Sequence, residues 1–239
     1  MNKVLLSSGG MDSFLLAHQP EVLGATHVFV DIGQSYKAKE WLSAARVARS
    51  CGSPFVRVQG PDLAKHEHFT GIIPFRNAQM ILLAALHGEE IYFGVIADEI
   101  NSDKSVEFCK AMEDTLNISH RKQYWTKGKQ FSIRTPFREQ TKSDLLRQYI
   151  ANGGTIETAL TTVSCYDGGA LHCGCCASCF KRWVALTNVV GRSAWQEWGF
   201  IHDPQLWHTR EYWQGKMAEY ADRRGEEIKS AFELSGHRL

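Results

Sequence analysis

The chain has 239 residues, and its 27 basic and 26 acidic side chains give a formal net charge of +1 at pH 7. Its hydrophobic fraction of 44% and charged fraction of 22% exclude disordered, collagen-like and coiled-coil chains. The balanced charge argues against a nucleic acid partner, because proteins that bind phosphate backbones carry a large basic excess. No apolar run approaches the roughly 18 residues of a membrane span. We therefore expect no membrane partner and a cytoplasmic location.

Apolar runs alternate with helical patterns along the chain. The runs interpreted as buried strands are 3–7, 24–32, 54–58 and 90–96. The patterns interpreted as helices are 12–18, 37–51, 76–87, 106–116 and 141–152. The helix at 76–87 is almost wholly apolar, which predicts burial on most sides. The alternation predicts an α/β fold, a doubly wound and mostly parallel sheet whose ligands lie at the carboxyl ends of the strands.

Two glycines follow the first predicted strand, where residues 7–13 read Ser-Ser-Gly-Gly-Met-Asp-Ser. Glycines let the backbone approach an anion closely, and the helix that follows offers unbonded N–H groups and the positive end of its dipole. The pattern matches neither the Walker motif nor the dinucleotide fingerprint. It predicts a phosphate-binding loop, with a glycine turn and serine cap as the alternative.

Five of the seven cysteines lie between residues 165 and 179. In a reducing compartment such a cluster indicates a metal rather than disulfides. Four of them have the spacing C-x7-C-x2-C-x2-C and would complete a tetrahedral Zn²⁺ site with no open position, namely Cys165, Cys173, Cys176 and Cys179. Cys175 is then either an extra thiol outside the site or a competitor of Cys176 for the same ligand position. An iron–sulfur cluster and a group of free cysteines are the alternatives.

The Ser-Gly-Gly-x-Asp-Ser hexapeptide resembles the pyrophosphate loop (PP-loop) of the ATP pyrophosphatases, whose fold is adenine nucleotide α-hydrolase-like. Combined with Ser-Cys-Tyr and Cys-Gly-x-Cys-x-x-Cys near the end, it makes the chain resemble the 7-cyano-7-deazaguanine synthase family of queuosine biosynthesis. Other segments that resemble this family are Asp31-Ile32-Gly33-Gln34, Pro74-Phe75-Arg76-Asn77 and Thr135-Pro136-Phe137 with Lys142.

The resemblance implies an ATP pyrophosphatase α/β domain at 1–160 and a small zinc-bound helical subdomain at 161–239. It implies an ATP-dependent C–N ligase that converts 7-carboxy-7-deazaguanine, a deazapurine carboxylate, and ammonia to the 7-cyano base, releasing AMP and pyrophosphate. The chain length leaves no room for an amidase module, so free ammonia is the expected nitrogen donor. The implied cofactors are ATP, Mg²⁺ and Zn²⁺.

The resemblance also implies roles for particular residues. The residues that would bind ATP are Ser7, Ser8, Gly9, Gly10, Met11, Asp12 and Ser13, with Asp12 helping to hold Mg²⁺. The expected catalytic residues are Asp12, Ser13, Arg76 and Lys142. The expected substrate-binding residues are Gln34, Asn77, Asp98, Asn101 and Asp103.

The sequence departs from the family at two places, Ser35 in place of the usual arginine and the segment 98–108. The alternative function is therefore a related PP-loop enzyme that joins the carboxylate to another amine or stops at the amide. Two further hypotheses are an enzyme of tRNA thiolation or ligation and a zinc-bearing binding module with a vestigial loop. The basic stretch 120–134 is interpreted as a solvated loop or a lid over ATP, with an RNA-binding patch as its rival.

Five of the seven tryptophans follow the cysteine cluster, namely Trp183, Trp195, Trp198, Trp207 and Trp213. Tryptophan at this density belongs either to a core or to a protein interface. This Trp-rich C-terminal region is therefore a candidate homodimer interface. The segment 206–234 predicts one or two amphipathic helices.

Overall fold

A computed structural model describes residues 1–68, 71–97, 102–167, 169–207 and 223–236. The backbone forms two compact units, Met1–Glu139 and Gln140–Leu239. The predicted boundary between residues 160 and 161 separates ATP chemistry from zinc binding, and it stays a prediction.

The first unit contains a five-stranded sheet in which every pair of neighbouring strands is parallel. The strands are β1 (Lys3–Leu6), β2 (Thr26–Asp31), β3 (Phe55–Gln59), β4 (Glu90–Tyr92) and β5 (Ser132–Arg134). Their order across the sheet is β3-β2-β1-β4-β5. The chain therefore builds the sheet outward from β1 in one direction and then returns to the other side of β1. This confirms the predicted doubly wound α/β fold and places its ligand crevice at the carboxyl ends of β1 and β4.

Helices cover the sheet because its strands are apolar on both faces. The helices of this unit are α1 (Met11–Ala17), α2 (Lys37–Ser50), α3 (Arg76–Ala84) and α4 (Val106–Ser119). Val4 and Leu6 belong to the core that includes α3 and α4. Leu5, which points to the opposite face of the sheet, is also fully buried, and α1 and α2 pack against β1 and β2.

A helix is present within the predicted range 76–87, but the prediction that it is buried on most sides is wrong. Helix α3 ends at Ala84, and its buried side chains are those of Asn77, Ile81 and Ala84, which share one face. Leu82 is 38% exposed and Leu86, beyond the helix, is 67% exposed. The helix packs against one side of the sheet only, so its other apolar side chains remain accessible to solvent.

The sequence patterns missed strand β5, which lies within the basic stretch 120–134. It is a three-residue strand, and within the described parts of the chain β4 alone pairs with it. Two of the basic side chains in this stretch form ion pairs, Lys129 with Glu89 and Arg134 with Glu90. The stretch is therefore partly structured and partly neutralised, whereas the sequence suggested a solvated loop.

The second unit is helical among its described residues. Its helices are α5 (Lys142–Ala151), α6 (Ile156–Leu160), α7 (Ala177–Val190) and α8 (Arg223–Leu234). Helix α5 begins with a complete capping box between Thr141 and Asp144. The core of this unit forms around the buried indole of Trp183, whose ring centroid lies 5.6 Å from that of Phe180 and 5.4 Å from that of Phe232.

The tryptophans of the C-terminal region occupy different environments. Trp183 and Trp198 are buried within the second unit, so their side chains serve its core. Trp195 is half-buried, whereas the Trp207 side chain and Trp213 lie outside the described residues. The homodimer stays a prediction. No helix among the described residues is long and apolar enough to cross a membrane.

Buried His27 makes the stability of the first unit sensitive to acid. Burial, together with the charge of His18, lowers the pKa of His27 to about 4. The unfolded chain therefore binds more protons than the folded chain between pH 4 and about 6.5, so stability is present above this window and is lost on acidification through it. We expect His27→Leu to reduce the loss of unfolding free energy between pH 7 and pH 5 by about 2 kcal/mol.

Urea unfolding at the two pH values measures this difference. The control is His66→Leu, which makes the same substitution at an exposed histidine. Identical pH dependence in wild type and His27→Leu would contradict the assignment of a neutral buried imidazole.

Candidate functional site

The loop that follows β1 lies at the point where the strand order reverses. The Ser7 N–H donates to the Val28 carbonyl at 2.9 Å, so the parallel ladder continues into the start of the loop. On the other side, a Cβ placed on Gly94, just after β4, would lie 3.8 Å from the Cβ of Asp12. The loop therefore occupies the crevice between the ends of β1 and β4, which is where sheets of this type bind ligands.

The backbone of Gly9 is packed directly against helix α2. Gly9 has φ +71°, and a Cβ there would lie 2.5 Å from the Glu40 carbonyl oxygen and 2.6 Å from the Ala44 nitrogen. The Ser43 hydroxyl donates to the Gly9 carbonyl at 2.7 Å. Only glycine combines this conformation with this approach, so α2 determines where the loop lies.

The loop presents hydroxyl and N–H groups suited to an anion. The Ser13 hydroxyl donates to the Gly10 carbonyl at 3.0 Å, and the Gly10 N–H donates to the Ser8 hydroxyl at 3.3 Å. The buried Ser7 hydroxyl has no hydrogen-bond partner among the described residues. Gly10 precedes α1 and provides no side-chain cap for its first turn. These groups fit a phosphate, which accepts several hydrogen bonds at once.

Asp31, at the end of β2, anchors the segment that leads into α2. Its carboxylate is 1% exposed and accepts from Arg57 Nη2 at 2.7 Å and from the Gly33 N–H at 3.0 Å. Lys37 Nζ lies 3.3 Å from the same carboxylate. Burial alone would raise the pKa of Asp31, but these hydrogen bonds and the Lys37 charge hold it below its usual value. Asp31 is thus a structural anion that positions the segment beyond it.

Gln34 is buried, and its amide makes hydrogen bonds within its own segment. The side-chain oxygen accepts from the Ile32 N–H at 3.0 Å, and Nε2 donates to Glu40 Oε2 at 3.2 Å. Burial raises the pKa of Glu40 to about 7, a shift that the Gln34 hydrogen bond and the Arg76 charge only partly offset. Glu40 was not among the predicted site residues, because a glutamate in the first turn of a helix is usually exposed to solvent and interacts favourably with the helix dipole.

Arg76 and Asn77 connect α3 to two neighbouring segments. Arg76 Nη1 donates to the Tyr36 hydroxyl at 3.2 Å, and Asn77 Nδ2 donates to the Asp103 carbonyl at 3.4 Å. Phe75, just before the helix, has φ +61° and is 79% exposed. A non-glycine residue in this left-handed conformation is strained, and such strain concentrates at functional sites. Phe75 was also absent from the predicted site, since no sequence pattern marks a left-handed phenylalanine.

These contacts bring most of the predicted site residues of the first unit to one edge of the sheet. Gly9 contacts α2, Gln34 binds Glu40 of that helix, and Asn77 holds the backbone at Asp103. Asp98 and Asn101 lie outside the described residues. Lys142 belongs to the second unit, where it is buried in the first turn of α5. Its predicted role stays a prediction.

The second unit brings together the four predicted metal ligands. The sulfur atoms of this cysteine cluster all lie within 4.8 Å of one another, and they belong to Cys165, Cys173, Cys176 and Cys179. Cys173 Sγ and Cys179 Sγ are 3.8 Å apart. Zinc–sulfur bonds of about 2.3 Å in a tetrahedron require a sulfur–sulfur distance of about 3.8 Å. Cys175 is exposed and is not part of the cluster. The cluster could therefore hold a metal ion such as zinc.

Backbone N–H groups surround the sulfur atoms. Cys165 Sγ accepts from the N–H groups of Asp167 and Cys173, both at 3.3 Å. Cys173 Sγ accepts from the Cys175 N–H at 3.2 Å. Cys176 Sγ caps helix α7 by accepting from the Cys179 N–H at 3.4 Å. Such donors favour thiolates, as a thiolate–metal site requires.

Hydrogen bonds from Cys176 and Cys179 lower the pKa of Cys165, whereas hydrogen bonding to Cys165 and Cys176 raises the pKa of Cys179. Deprotonation of all four cysteines requires a cation to offset their mutual repulsion.

Comparison with known proteins supports the resemblance noted in the sequence. The family model of the queuosine biosynthesis protein QueC matches residues 56–190, more than half of the chain. The chain belongs to the QueC family. The matched range includes Arg76, Asn77 and the four cysteines of the cluster, which lie in α7 and in the segment before it.

Several curated relatives of the QueC family are named 7-cyano-7-deazaguanine synthase. The one from Pseudomonas syringae is 31% identical over 77% of this chain and 92% of its own length. The one from Archaeoglobus fulgidus is 31% identical over 80% of this chain and 88% of its own length. The one from Desulfotalea psychrophila is 28% identical over 80% of this chain and 96% of its own length.

The fit between Gly9 and α2 can be tested by adding one methyl group. We expect Gly9→Ala to lower the free energy of unfolding by about 3 kcal/mol or more, because it combines a left-handed conformation with a backbone clash. Gly52→Ala is the matched control, since Gly52 has φ +62° but nothing within 4 Å of its missing Cβ. It should cost only about 1 kcal/mol. Denaturant unfolding measures both, and equal costs would contradict the close approach.

Proposed function

We propose that this chain is a 7-cyano-7-deazaguanine synthase, converting 7-carboxy-7-deazaguanine, ammonia and ATP to the 7-cyano base, AMP and pyrophosphate. The observation that carries the proposal is the loop after β1, in which Gly9 packs against the backbone of α2 at the point where the strand order reverses. The chain that contains this loop belongs to the QueC family. The curated relatives carry the name of this synthase. A cytoplasmic location stays an expectation from the sequence pattern.

The proposed reaction activates one carbon twice. A carboxylate oxygen attacks the α-phosphorus of ATP, and pyrophosphate leaves. Ammonia attacks the resulting acyl carbon, AMP leaves, and one N–H proton is released to give the amide. The amide oxygen then attacks a second ATP in the same way. This adenylation releases one of the two amide N–H protons, and loss of AMP together with the remaining N–H proton then forms the C≡N bond. Each activation turns a poor oxygen leaving group into a phosphate.

The residues of the loop would hold the nucleotide. The N–H groups around Gly9 and Gly10 and the hydroxyls of Ser7 and Ser13 would bind the pyrophosphate. Asp12 would help to hold Mg²⁺, which supplies charge neutralisation for the leaving pyrophosphate. Arg76 and Lys142 would contact phosphate or carboxylate oxygens.

The deazapurine would lie beside the segments that follow the strands. Gln34, Asn77, Asp98, Asn101 and Asp103 remain the proposed substrate contacts. Glu40, whose pKa of about 7 leaves the carboxyl partly protonated near neutral pH, lies against Gln34 in this group. It has the proton affinity suited to receive a proton released during the amide and nitrile steps.

We also propose that the cysteine cluster holds one structural Zn²⁺. Four thiolates fill the tetrahedral shell and leave no position for water or substrate, so the ion supplies folding energy rather than catalysis. The sulfur atoms would be the metal ligands, and Cys173 and Cys179 have the sulfur–sulfur distance of a tetrahedral site. Backbone N–H groups donate hydrogen bonds to these sulfur atoms and support their thiolate form.

The reaction is tested by incubating the protein with 7-carboxy-7-deazaguanine, ammonium, MgCl₂ and ATP and identifying the products by mass spectrometry. We expect the nitrile, AMP and pyrophosphate. Asp12→Ala should lower turnover at least about 100-fold through loss of transition-state charge stabilisation. The matched control is Asp114→Ala, because Asp114 is an exposed partner of Lys110 on α4. Production of ADP and phosphate, or of the amide alone, would contradict the proposal.

The metal assignment is tested by elemental analysis of the purified protein. We expect about one zinc per chain and no iron. Cys176→Ser should lower zinc content and melting temperature together, because the site contributes to folding. Cys175→Ser is the control and should change neither, since its thiol is exposed and outside the cluster. An equal loss of zinc in both variants would show that Cys175 is a ligand.

A further inference from the structure

Arg182 is a charged side chain placed entirely inside the second unit. It lies in α7 and is 0% exposed. Among the residues that the structure describes, no carboxylate forms an ion pair or hydrogen bond with it. Burial lowers its pKa to about 10. A buried guanidinium without a counter-charge is expensive, so a fold that retains one normally supplies an anion.

The hydrogen-bond partners that the described residues offer Arg182 are all neutral. Nη1 donates to the Thr162 hydroxyl at 2.7 Å and to the Ser164 hydroxyl at 3.5 Å. Nη2 donates to the carbonyl oxygens of Ala159 at 3.3 Å and Leu160 at 3.0 Å. Nε has no partner among the described residues. These groups orient the guanidinium, but none of them neutralises its charge.

The cysteine cluster is the anion available to Arg182. Cys179 lies one helical turn before Arg182 on α7, so a metal-bound thiolate at this position would offset part of the cost of burying the arginine. On the other side, Ser164 directly precedes Cys165. The guanidinium thus connects the segment that carries the first ligand to the helix that carries the last. A Zn²⁺ ion bound by four thiolates retains a net charge of −2, which a neighbouring cation stabilises.

We propose that Arg182 is the buried counter-charge of the metal-bound cysteine cluster and the residue that positions Cys165 against α7. The inference rests on the proposed zinc site. It assigns Arg182 a positioning role, since its hydrogen bonds reach Thr162 and Ser164 rather than a sulfur atom.

The role predicts that the arginine matters more with metal than without it. When the cluster is protonated and metal-free, Arg182 is buried beside neutral thiols, and its charge has little to offset it. When zinc is bound, the same charge faces a dianionic complex. Residues that support metal ligands in this way typically contribute about 10- to 100-fold to metal affinity.

The test compares full-length Arg182→Gln with the wild type in a competition between the protein and a chromophoric zinc chelator. We expect the dissociation constant for zinc to rise about 10- to 100-fold. Denaturant unfolding of metal-free and zinc-loaded protein should show a larger loss of stability in the zinc-loaded form. Arg192→Gln is the matched control, because Arg192 is exposed and pairs with Glu197 at 2.8 Å. Its zinc affinity should equal that of the wild type.

Arg182→Lys provides a second measurement that does not depend on the glutamine variant folding. Lysine keeps the positive charge and loses the forked hydrogen bonds to Thr162 and the Ala159 and Leu160 carbonyls. We expect its zinc dissociation constant to rise by less than tenfold, because the charge is kept, while the melting temperature falls because the forked hydrogen bonds are lost. A tenfold or greater loss of zinc affinity in this variant would overturn the counter-charge role.

The outcomes separate this inference from the metal proposal. Wild-type protein that binds no zinc would remove the proposed site itself. Wild-type protein that binds zinc, with unchanged affinity in Arg182→Gln and equal destabilisation of the metal-free and zinc-loaded forms, would overturn only the inference. The role of Arg182 would then be limited to its hydrogen bonds with neutral groups at the end of α6.

Discussion

The close contact between the Gly9 backbone and helix α2 is the constraint on which the candidate site depends. Because a Cβ at Gly9 would lie within 2.6 Å of α2 backbone atoms, the loop after β1 has one position relative to that helix. Helix α2 also carries Glu40, which binds Gln34. One helix therefore positions both the proposed phosphate loop and the segment proposed to face the substrate, at the carboxyl ends of the strands.

Buried charge is handled differently at three places in the molecule. Asp31 has two basic side chains and a backbone N–H, so its carboxylate stays ionised and structural. Glu40 has an amide partner and a more distant arginine charge, which leaves its pKa near neutrality. Arg182 has neutral partners and a neighbouring thiol cluster. The strength of the counter-charge sets whether Asp31 stays ionised and whether Glu40 titrates near neutral pH, and it is the basis of the metal-supporting role proposed for Arg182.

The second unit surrounds its cysteine cluster with backbone contacts that depend on each other. The N–H groups of Ile201 and His202 donate to the His172 and Cys173 carbonyls at 2.8 and 3.2 Å. A Cβ at Gly174 would clash with the His202 carbonyl oxygen, so the two segments approach as closely as their backbones allow. The same helix that carries Cys179 places Trp183 in the core. Metal binding and packing of this unit are therefore expected to be cooperative.

The amino-acid sequence alone was enough to predict the alternation of strands and helices, the loop of residues 7–13 and the cysteine cluster, because these features follow from local periodicity, glycine placement and ligand chemistry. It missed β5, since a three-residue strand with one partner has too short a pattern. Three features emerge only from packing: the exposure of Leu82 on α3, the hydrogen bond between Gln34 and Glu40, and the burial of Arg182 with no carboxylate partner among the described residues. Burial and the pairing of charges distant in sequence are properties of packing, which local patterns do not encode.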